Sequence, residues 1–383
     1  MITQQSIQQV KDAIQVADVI EKLSKNKLQK RGSILTGLCP FHDEKTASFT
    51  VSPSKGIYKC FGCGISGDGL KFIMEHEHIN FIDAIKWAAD FYQINLEEEK
   101  ITEEEKRERK QKDVETDILY KLNAAAARQW HKQLYKPYET ASGIQISHSL
   151  QLDYLLSRKI SIDSIVQWCI GWSPDEWRFL TPTIIEKGLW KQAEALGLVR
   201  HKNEQNYDAW RGRIMFPIHD EKGNIVAFGG RSLLSNEEMK QQGVPKYLNS
   251  SNNDLYNKRK VLYGLYFARE GIKQHKFAIL TEGYTDVICF HQMGANNTVA
   301  TCGTALTDNQ AKLLKRYCDH VVIARDGDNA GMKASMEDID TLLEHGFKVE
   351  ILPMPEGKDP ADYSSGYHAA SEYEMLIENN ITV

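Results

Sequence analysis

Four residues constrain this chain more than any others: Cys39, His42, Cys60 and Cys63, spaced Cys-x2-His, seventeen residues, then Cys-x2-Cys. Each two-residue gap lets a tight turn aim two side chains at one ion, and the intervening loop brings the second pair in from another strand to complete a tetrahedron. Gly62 and Gly64 give the second turn its backbone freedom. The donors are soft or borderline and leave no coordination position open, so the set predicts structural rather than catalytic zinc. A chain of 383 residues can bury ample apolar surface without disulfides. Cys169, Cys289, Cys302 and Cys318 lack partners at ligand spacing and read as core residues. His76 and His78, beside Glu75 and Glu77, read as a polar helix face rather than a second metal site.

No apolar run reaches the roughly 18 residues that a membrane span needs, and the start "MITQQSIQQVKDAIQ" lacks the basic and apolar regions of a secretory signal. The expected location is the cytoplasm, where thiols stay reduced and clustered cysteines hold metal. The net charge of −5 does not advertise nucleic-acid binding, but binding depends on where the cations lie. They gather at Lys22, Lys25, Lys27, Lys30 and Arg31; at Arg200, Lys202, Arg211 and Arg213; and at Lys258, Arg259 and Lys260.

Ile7, Val10, Ile14 and Val19 or Ile20 recur near helical spacing, predicting one amphipathic helix at the start of the chain. The short β-type runs "SFTVS" and "GIYKC" and a helical "FIDAIKWAADFYQI" complete a first unit. The almost continuously charged "LEEEKITEEEKRERKQKD" reads as an exposed helix or tether linking it to the rest. "RIMFPIHDEKGNIVAFGGRSL" predicts two strands joined around Lys222-Gly223-Asn224. From Phe277 onward the apolar runs "FAIL", "NTVAT", "HVVIA" and "FKVEIL" alternate with helical patterns, which predicts a parallel sheet with crossover helices.

Glu282 and Asp286 follow the first of these strands, and Asp326 and Asp328 follow "HVVIA". In a parallel sheet the carboxyl ends of the strands share one edge, the usual ligand crevice, so these acids can meet there. Clustered carboxylates repel one another and call for a hard divalent cation, magnesium or manganese, which leaves positions open for substrate phosphates. A third acidic turn, "PEGKDPAD", adds Asp359 and Asp362.

At these residues a resemblance appears. "LCPFHDEKTASFTVSPSKGIYKCFGCGISGD" resembles the zinc-binding domain of DnaG-type bacterial primases. "RIMFPI", "FGGR", "PKYLNS" and "LYGL" resemble the basic half of their polymerase core, and "EGYTDVI" with "DGDNAG" its TOPRIM half. The resemblance implies an α/β multi-domain chain: a small zinc-ribbon domain (1–98), a charged linker (99–117), a mixed α+β basic subdomain (118–260), and a parallel-sheet TOPRIM subdomain with a C-terminal tail (261–383). It implies synthesis of RNA primers from ribonucleoside triphosphates on single-stranded DNA, with structural zinc and catalytic magnesium or manganese. The alternatives kept open are a TOPRIM nuclease or topoisomerase and a zinc-dependent DNA-binding protein with a degenerate core.

By resemblance, Glu282, Asp286, Asp326, Asp328 and Asp359 are the catalytic acids, with Glu282, Asp326 and Asp328 holding the divalent ion. Arg158, Arg211, Arg213, Arg231, Lys246, Asn249 and Lys258 match positions for template and nucleotide. Phe49, Tyr58 and Phe61 are aromatics available for base stacking, Phe49 being the one expected in the core. Two departures stand out: Arg325 replaces the family's usual aromatic residue before Asp-Gly-Asp, with consequences for metal affinity or nucleotide contact, and Ala361 interrupts its Asp-Pro-Asp turn. The chain ends at Val383, before the family's helicase-binding domain, and contains no G-x4-G-K-[ST] loop, so coupling to a replicative helicase is expected in trans.

Overall fold

The computed structural model describes residues 2–24, 27–77, 79–97, 102–139, 145–146, 148–303, 305–326, 329–352, 354 and 361. Two compact units divide between Lys110 and Gln111. Among the described residues no helix is long and apolar enough to cross a membrane.

The first unit opens with two helices, α1 (Gln4–Ala13) and α2 (Val16–Leu23), where periodicity alone predicts one. The break lies at Ile14, whose backbone is extended, and Tyr92 fixes it by accepting from the Gln15 N–H (3.0 Å). An antiparallel sheet follows: β1 (Gln29–Arg31), β2 (Ile34–Gly37), β3 (Phe49–Ser52), β4 (Ile57–Cys60) and β5 (Ser66–Asp68), neighbours in chain order. Helices α3 (Gly69–Glu77) and α4 (Phe81–Phe91) complete the unit, the latter capped by the Asn80 side chain on the N–H groups of Ile82 and Asp83. Alternation along β4 decides what the sheet buries. Tyr58 and Cys60 point inward, where Tyr58 joins Phe49 and Phe72 in the core, while Ile57 and Lys59 face out. Tyr58 and Phe49 are therefore core residues, and of the three sequence-predicted stacking aromatics only Phe61 is exposed.

Helix α5 (Glu103–Gln133) contains the boundary between the units, and the charged segment before it is helical from Glu103. Its later residues Leu122, Ala126 and Trp130 pack on Met215 and Phe228. The strands β6 (Tyr138–Glu139) and β7 (Gln145–Ile146) pair, and helices α6 (Leu150–Ser157) and α7 (Ile162–Gln167) follow. After β8 (Gly171–Ser173) come α8 (Thr181–Glu186) and α9 (Trp190–Ala195), then the hairpin β9 (Val199–Lys202) and β10 (Gln205–Asp208). Buried Asp208 anchors α8, accepting from the N–H groups of Leu180 and Thr181 and from the Thr181 hydroxyl. The predicted hairpin is β11 (Arg213–His219) with β12 (Ile225–Ser232). Asp220 closes its turn by accepting from the N–H groups of Lys222 and Asn224, with Gly223 at φ +90°. Helix α10 (Asn236–Gln242) leads to β13 (Tyr247–Asn249), giving an antiparallel sheet in the order β13-β12-β11-β8.

The last part is the expected parallel sheet. After α11 (Leu265–His275) come β14 (Phe277–Thr281), α12 (Tyr284–Gln292), β15 (Thr298–Ala300), α13 (Asp308–Leu314), β16 (His320–Ile323), α14 (Asn329–Glu344) and β17 (Lys348–Ile351). The strand order is β15-β14-β16-β17, all parallel. Both faces are covered, so β14 is buried throughout: Ala278 and Leu280 face one core, Phe277 and Ile279 the other.

The antiparallel and parallel sheets share a core in which Phe216 stacks on Tyr284 of α12 (centroids 5.4 Å apart). Gly229 on β12 makes this approach possible, because a Cβ there would collide with Cε2 and Cζ at the edge of the Tyr284 ring. The Tyr284 hydroxyl donates to Asn249 Oδ1 (2.7 Å), and Asn249 Nδ2 donates to the Cys302 carbonyl (3.0 Å). Gly229→Ala should therefore lower unfolding stability by about 1–3 kcal/mol through overpacking, measured by chemical denaturation.

Candidate active site and zinc centre

In the first unit the four predicted zinc ligands converge. One ligand atom from each of Cys39, His42, Cys60 and Cys63 lies within 4.8 Å of the other three. The Cys39 and Cys63 sulfurs are 3.9 Å apart, as are Cys60 Sγ and His42 Nδ1, separations that suit a tetrahedral zinc. Burial pushes the Cys39 thiol up to about 12, so without a cation it would hold its proton. Burial also acts upward on Cys60, but hydrogen bonds from Ser48 and from the N–H groups of Cys63 and Gly62 outweigh it and bring it down to about 7.

Sequence reasoning missed Glu44. With Nδ1 turned toward the cysteines, His42 presents Nε2 to the Glu44 carboxylate at 3.3 Å, which orients the ring as a carboxylate orients a zinc-bound histidine. Glu44 also accepts from the N–H groups of Cys39 (2.8 Å) and Ser48 (3.1 Å), tying the first turn of the site to the loop that follows it. Its signal was an acid two residues after the ligand histidine. Among the described residues no second such cluster occurs, and His76 pairs with Glu77 instead. His78 lies outside the described residues.

In the second unit the carboxyl edge of the parallel sheet carries the predicted acids. β14 ends at Thr281 and β16 at Ile323, which brings Glu282 and Asp326 to a common cavity of about 240 Å³. Asp286 also borders it but is buried, and it accepts from the Gly283 N–H (2.8 Å), which makes it the cap that holds Glu282's turn. Gly331 lets the start of α14 pack on the Asp326 backbone where a Cβ would collide. Asp328, Asp359 and Asp362 lie outside the described residues.

The facing wall is basic. Arg158 at the end of α6, Arg231 on β12, Lys246 just before β13 and Asn249 at its end line the same cavity. Arg231 donates to the Tyr247 hydroxyl (3.3 Å) and sits over the Tyr154 ring. Glu282 and Asp326 are hard oxygen donors beside open space and fit a magnesium or manganese ion with room for substrate phosphates.

Three predicted residues stand elsewhere. Arg213 is buried, and its guanidinium donates to the carbonyls of Gly230 (3.1 Å) and Pro245 (2.9 Å), so it supports the strands that carry Arg231 and Lys246 and faces no solvent groove. β11 is buried along nearly its whole length, which the basic cluster in the sequence hides. Lys258 is partly buried outside this cavity. Arg211 borders a separate cleft with Arg200 and Lys202, and its guanidinium lies 3.4 Å from the centre of the Trp177 ring. Trp177 is 59% exposed, a solvent-facing indole among cations that no sequence pattern marked. Arg325 is buried and pairs with Asp338, a pairing that sequence reasoning also missed.

Three family models match in chain order. They are the CHC2 zinc finger over residues 2–104, the N-terminal domain of the DNA primase catalytic core over 142–269, and a Toprim-like domain over 279–364. The DNA primase of Clostridium acetobutylicum is 39% identical across all of this chain. This chain belongs to the bacterial DNA primase family. The DNA primase of Halalkalibacterium halodurans is 35% identical across the same span, and the chain covers 60% of the length of each of these two family members. Among solved structures it resembles the zinc-binding and RNA polymerase domains of the Aquifex aeolicus primase (33% identity, TM-score 0.59, 98% of this chain and 85% of that one). It also resembles a DnaG primase catalytic domain bound to single-stranded DNA (28% identity, TM-score 0.58, 70% of this chain and 82% of that one). The zinc-ribbon, basic-core and TOPRIM reading of the fold holds.

Two outcomes test the zinc centre. Cys60→Ser should purify with no stoichiometric zinc by elemental analysis. Glu44→Ala should retain the four ligands but weaken zinc binding by about 10–100-fold in chelator competition.

Proposed function

We propose that this chain synthesises short RNA primers on single-stranded DNA by nucleotidyl transfer. The observation that carries the reading is the single cavity in which Glu282 and Asp326 face Arg158, Arg231 and Lys246. Acids on one wall and cations on the other suit a reaction that joins a nucleotide to a hydroxyl and releases pyrophosphate. The kinship to DNA primases supports it.

In this reading Arg231 and Lys246 grip the triphosphate of an incoming ribonucleotide, and Arg158 holds the neighbouring backbone by charge-assisted hydrogen bonds. A divalent ion, held by Glu282 and Asp326 with Asp328, supplies charge neutralisation at the phosphates and at the attacking oxygen when bound. Glu282 takes the proton of the primer 3′-hydroxyl as that oxygen attacks the α-phosphorus, and pyrophosphate departs toward the basic wall. Asp286 keeps the Glu282 turn in place through the Gly283 N–H. Asn249 acts by positioning, since both ends of its amide are engaged by Tyr284 and Cys302.

The template reading rests on Trp177 and its surroundings. An exposed indole stacked on Arg211, with Tyr207 at its edge and Arg200 and Lys202 in the same cleft, offers a base-stacking surface within a cationic groove. In the zinc-bearing unit, exposed Phe61 under the Lys59 ammonium offers a second such contact. Residues 1–98 then serve template engagement, 118–260 the template and triphosphate, and 261–383 the chemistry. A replicative helicase acts in trans, and the setting is the replication fork in the cytoplasm.

Incubation with single-stranded DNA of mixed sequence, four ribonucleotides and magnesium or manganese should give short oligoribonucleotides. Glu282→Gln should reduce them by about 10²–10⁴-fold while leaving single-strand affinity intact. DNA cleavage in place of synthesis, or equal loss of binding and activity, would overturn the reading. Trp177→Ala should weaken single-strand binding by about 1–3 kcal/mol in fluorescence anisotropy.

A further inference from the structure

Arg325 stands immediately before Asp326 at the carboxyl edge of β16. It is only 6% exposed, so it does not reach out to a nucleotide. Two of its nitrogens close on Asp338 Oδ2, Nη2 at 2.6 Å and Nε at 2.7 Å. The third, Nη1, lies 3.5 Å from Glu282 Oε2. Asp338 is completely buried on α14, and its other oxygen accepts from the Leu306 N–H (3.1 Å). The guanidinium thus lies between two carboxylates, one sealed in the core and the other half-exposed at the cavity.

This arrangement is electrically one-sided. Asp338 holds the guanidinium from behind through one charge-assisted hydrogen bond from Nε and an ion-pair contact to Nη2, and it cannot swing away, because its second oxygen is committed to Leu306. From the cavity the pair presents its positive end. That end sits against Glu282 and one residue from Asp326, the two described acids that face the open space.

We propose that Arg325 is a positioning residue which, held by Asp338, orients the Glu282 carboxylate and gives the acidic cluster a fixed positive charge that weakens its hold on the divalent ion. The inference rests on the reading of Glu282 and Asp326 as ion-holding acids. A site of this kind releases its ion readily and relies on the substrate phosphates to retain it. A purely structural pair would stabilise the fold without altering the ion.

The test uses the whole chain and manganese as a paramagnetic probe, with free ion counted by electron paramagnetic resonance in the absence of DNA and nucleotide. Arg325→Gln alone strands a buried carboxylate and is expected to lower the thermal midpoint. The informative variant is Arg325→Gln with Asp338→Asn, which removes both charges and leaves two amides, the Asn isosteric with Asp338 and the Gln shorter than Arg325. It should fold, as judged by circular dichroism and cooperative unfolding, and bind manganese about three- to tenfold more tightly than the parent. In primer synthesis at saturating manganese its kcat should fall as Glu282 loses its orientation, with nucleotide KM unchanged. An unchanged manganese affinity in the folded double variant would overturn the inference and leave the pair a structural one. If neither the parent nor the double variant binds manganese beyond the zinc centre, even with a ribonucleoside triphosphate added, the reading of the acids fails, and this inference with it. Should the double variant fail to fold, Arg325→Lys with Asp338 intact keeps the charge but loses the fork; unchanged affinity and reduced kcat support the inference, and full activity overturns it.

Discussion

The reaction cavity depends on how closely the antiparallel sheet approaches the first turn of α12. Gly229 has no side chain to hold the Tyr284 ring away, and Tyr284, Asn249 and the Cys302 carbonyl form a hydrogen-bonded chain across the gap. A buried hydroxyl–amide–carbonyl chain has little slack, because a small displacement leaves a polar group unsatisfied at a cost of about 1–3 kcal/mol. The distance between the acidic edge and the basic wall is thereby set by packing. Charges of opposite sign face each other there across the cavity without collapsing into direct ion pairs between Glu282 or Asp326 and Arg231 or Lys246 among the described contacts.

Hydrogen bonds within the walls fix each charge separately. Asp286 pins the turn that bears Glu282, Arg213 pins the carbonyls of the strands that bear Arg231 and Lys246, and Asp338 pins Arg325. In the first two cases a buried charged group orients more exposed ones, and in the third two buried charges hold each other. The zinc centre has a similar brace, since Glu44 holds His42, the Cys39 turn and Ser48.

Much of this was legible in the sequence wherever the information is local. Ligand spacing gave the zinc set, turn chemistry the β11–β12 hairpin, and alternation of apolar runs with helical stretches the parallel sheet. The alternation around Cys60 also carried a signal that was not used: an inward ligand at position 60 puts Tyr58 on the same inner face and Phe61 beyond the strand's end. What escaped were pairings between distant segments. Asp338 lies on the buried stripe of α14 with Gly331, Ser335 and Leu342, an acid out of place until Arg325 arrives from another strand. Arg213 and Arg211 look alike in the sequence, yet one is turned into the core by strand register and the other stacks on an indole. The break at Ile14 likewise depends on Tyr92, far along the chain.

The Trp177 platform is asymmetric in a way that bears on how a strand would lie across it. Arg211 already covers one face of the indole at stacking distance and is itself steadied by Asp175 (3.6 Å), while Tyr207 meets the ring edge-on. One aromatic face therefore remains for a visiting base. A surface open on both faces would let bases intercalate and slide, whereas a single face backed by a cation behaves as a bookend. In the proposed template reading, a stack of bases would end at this indole, with the guanidinium behind it.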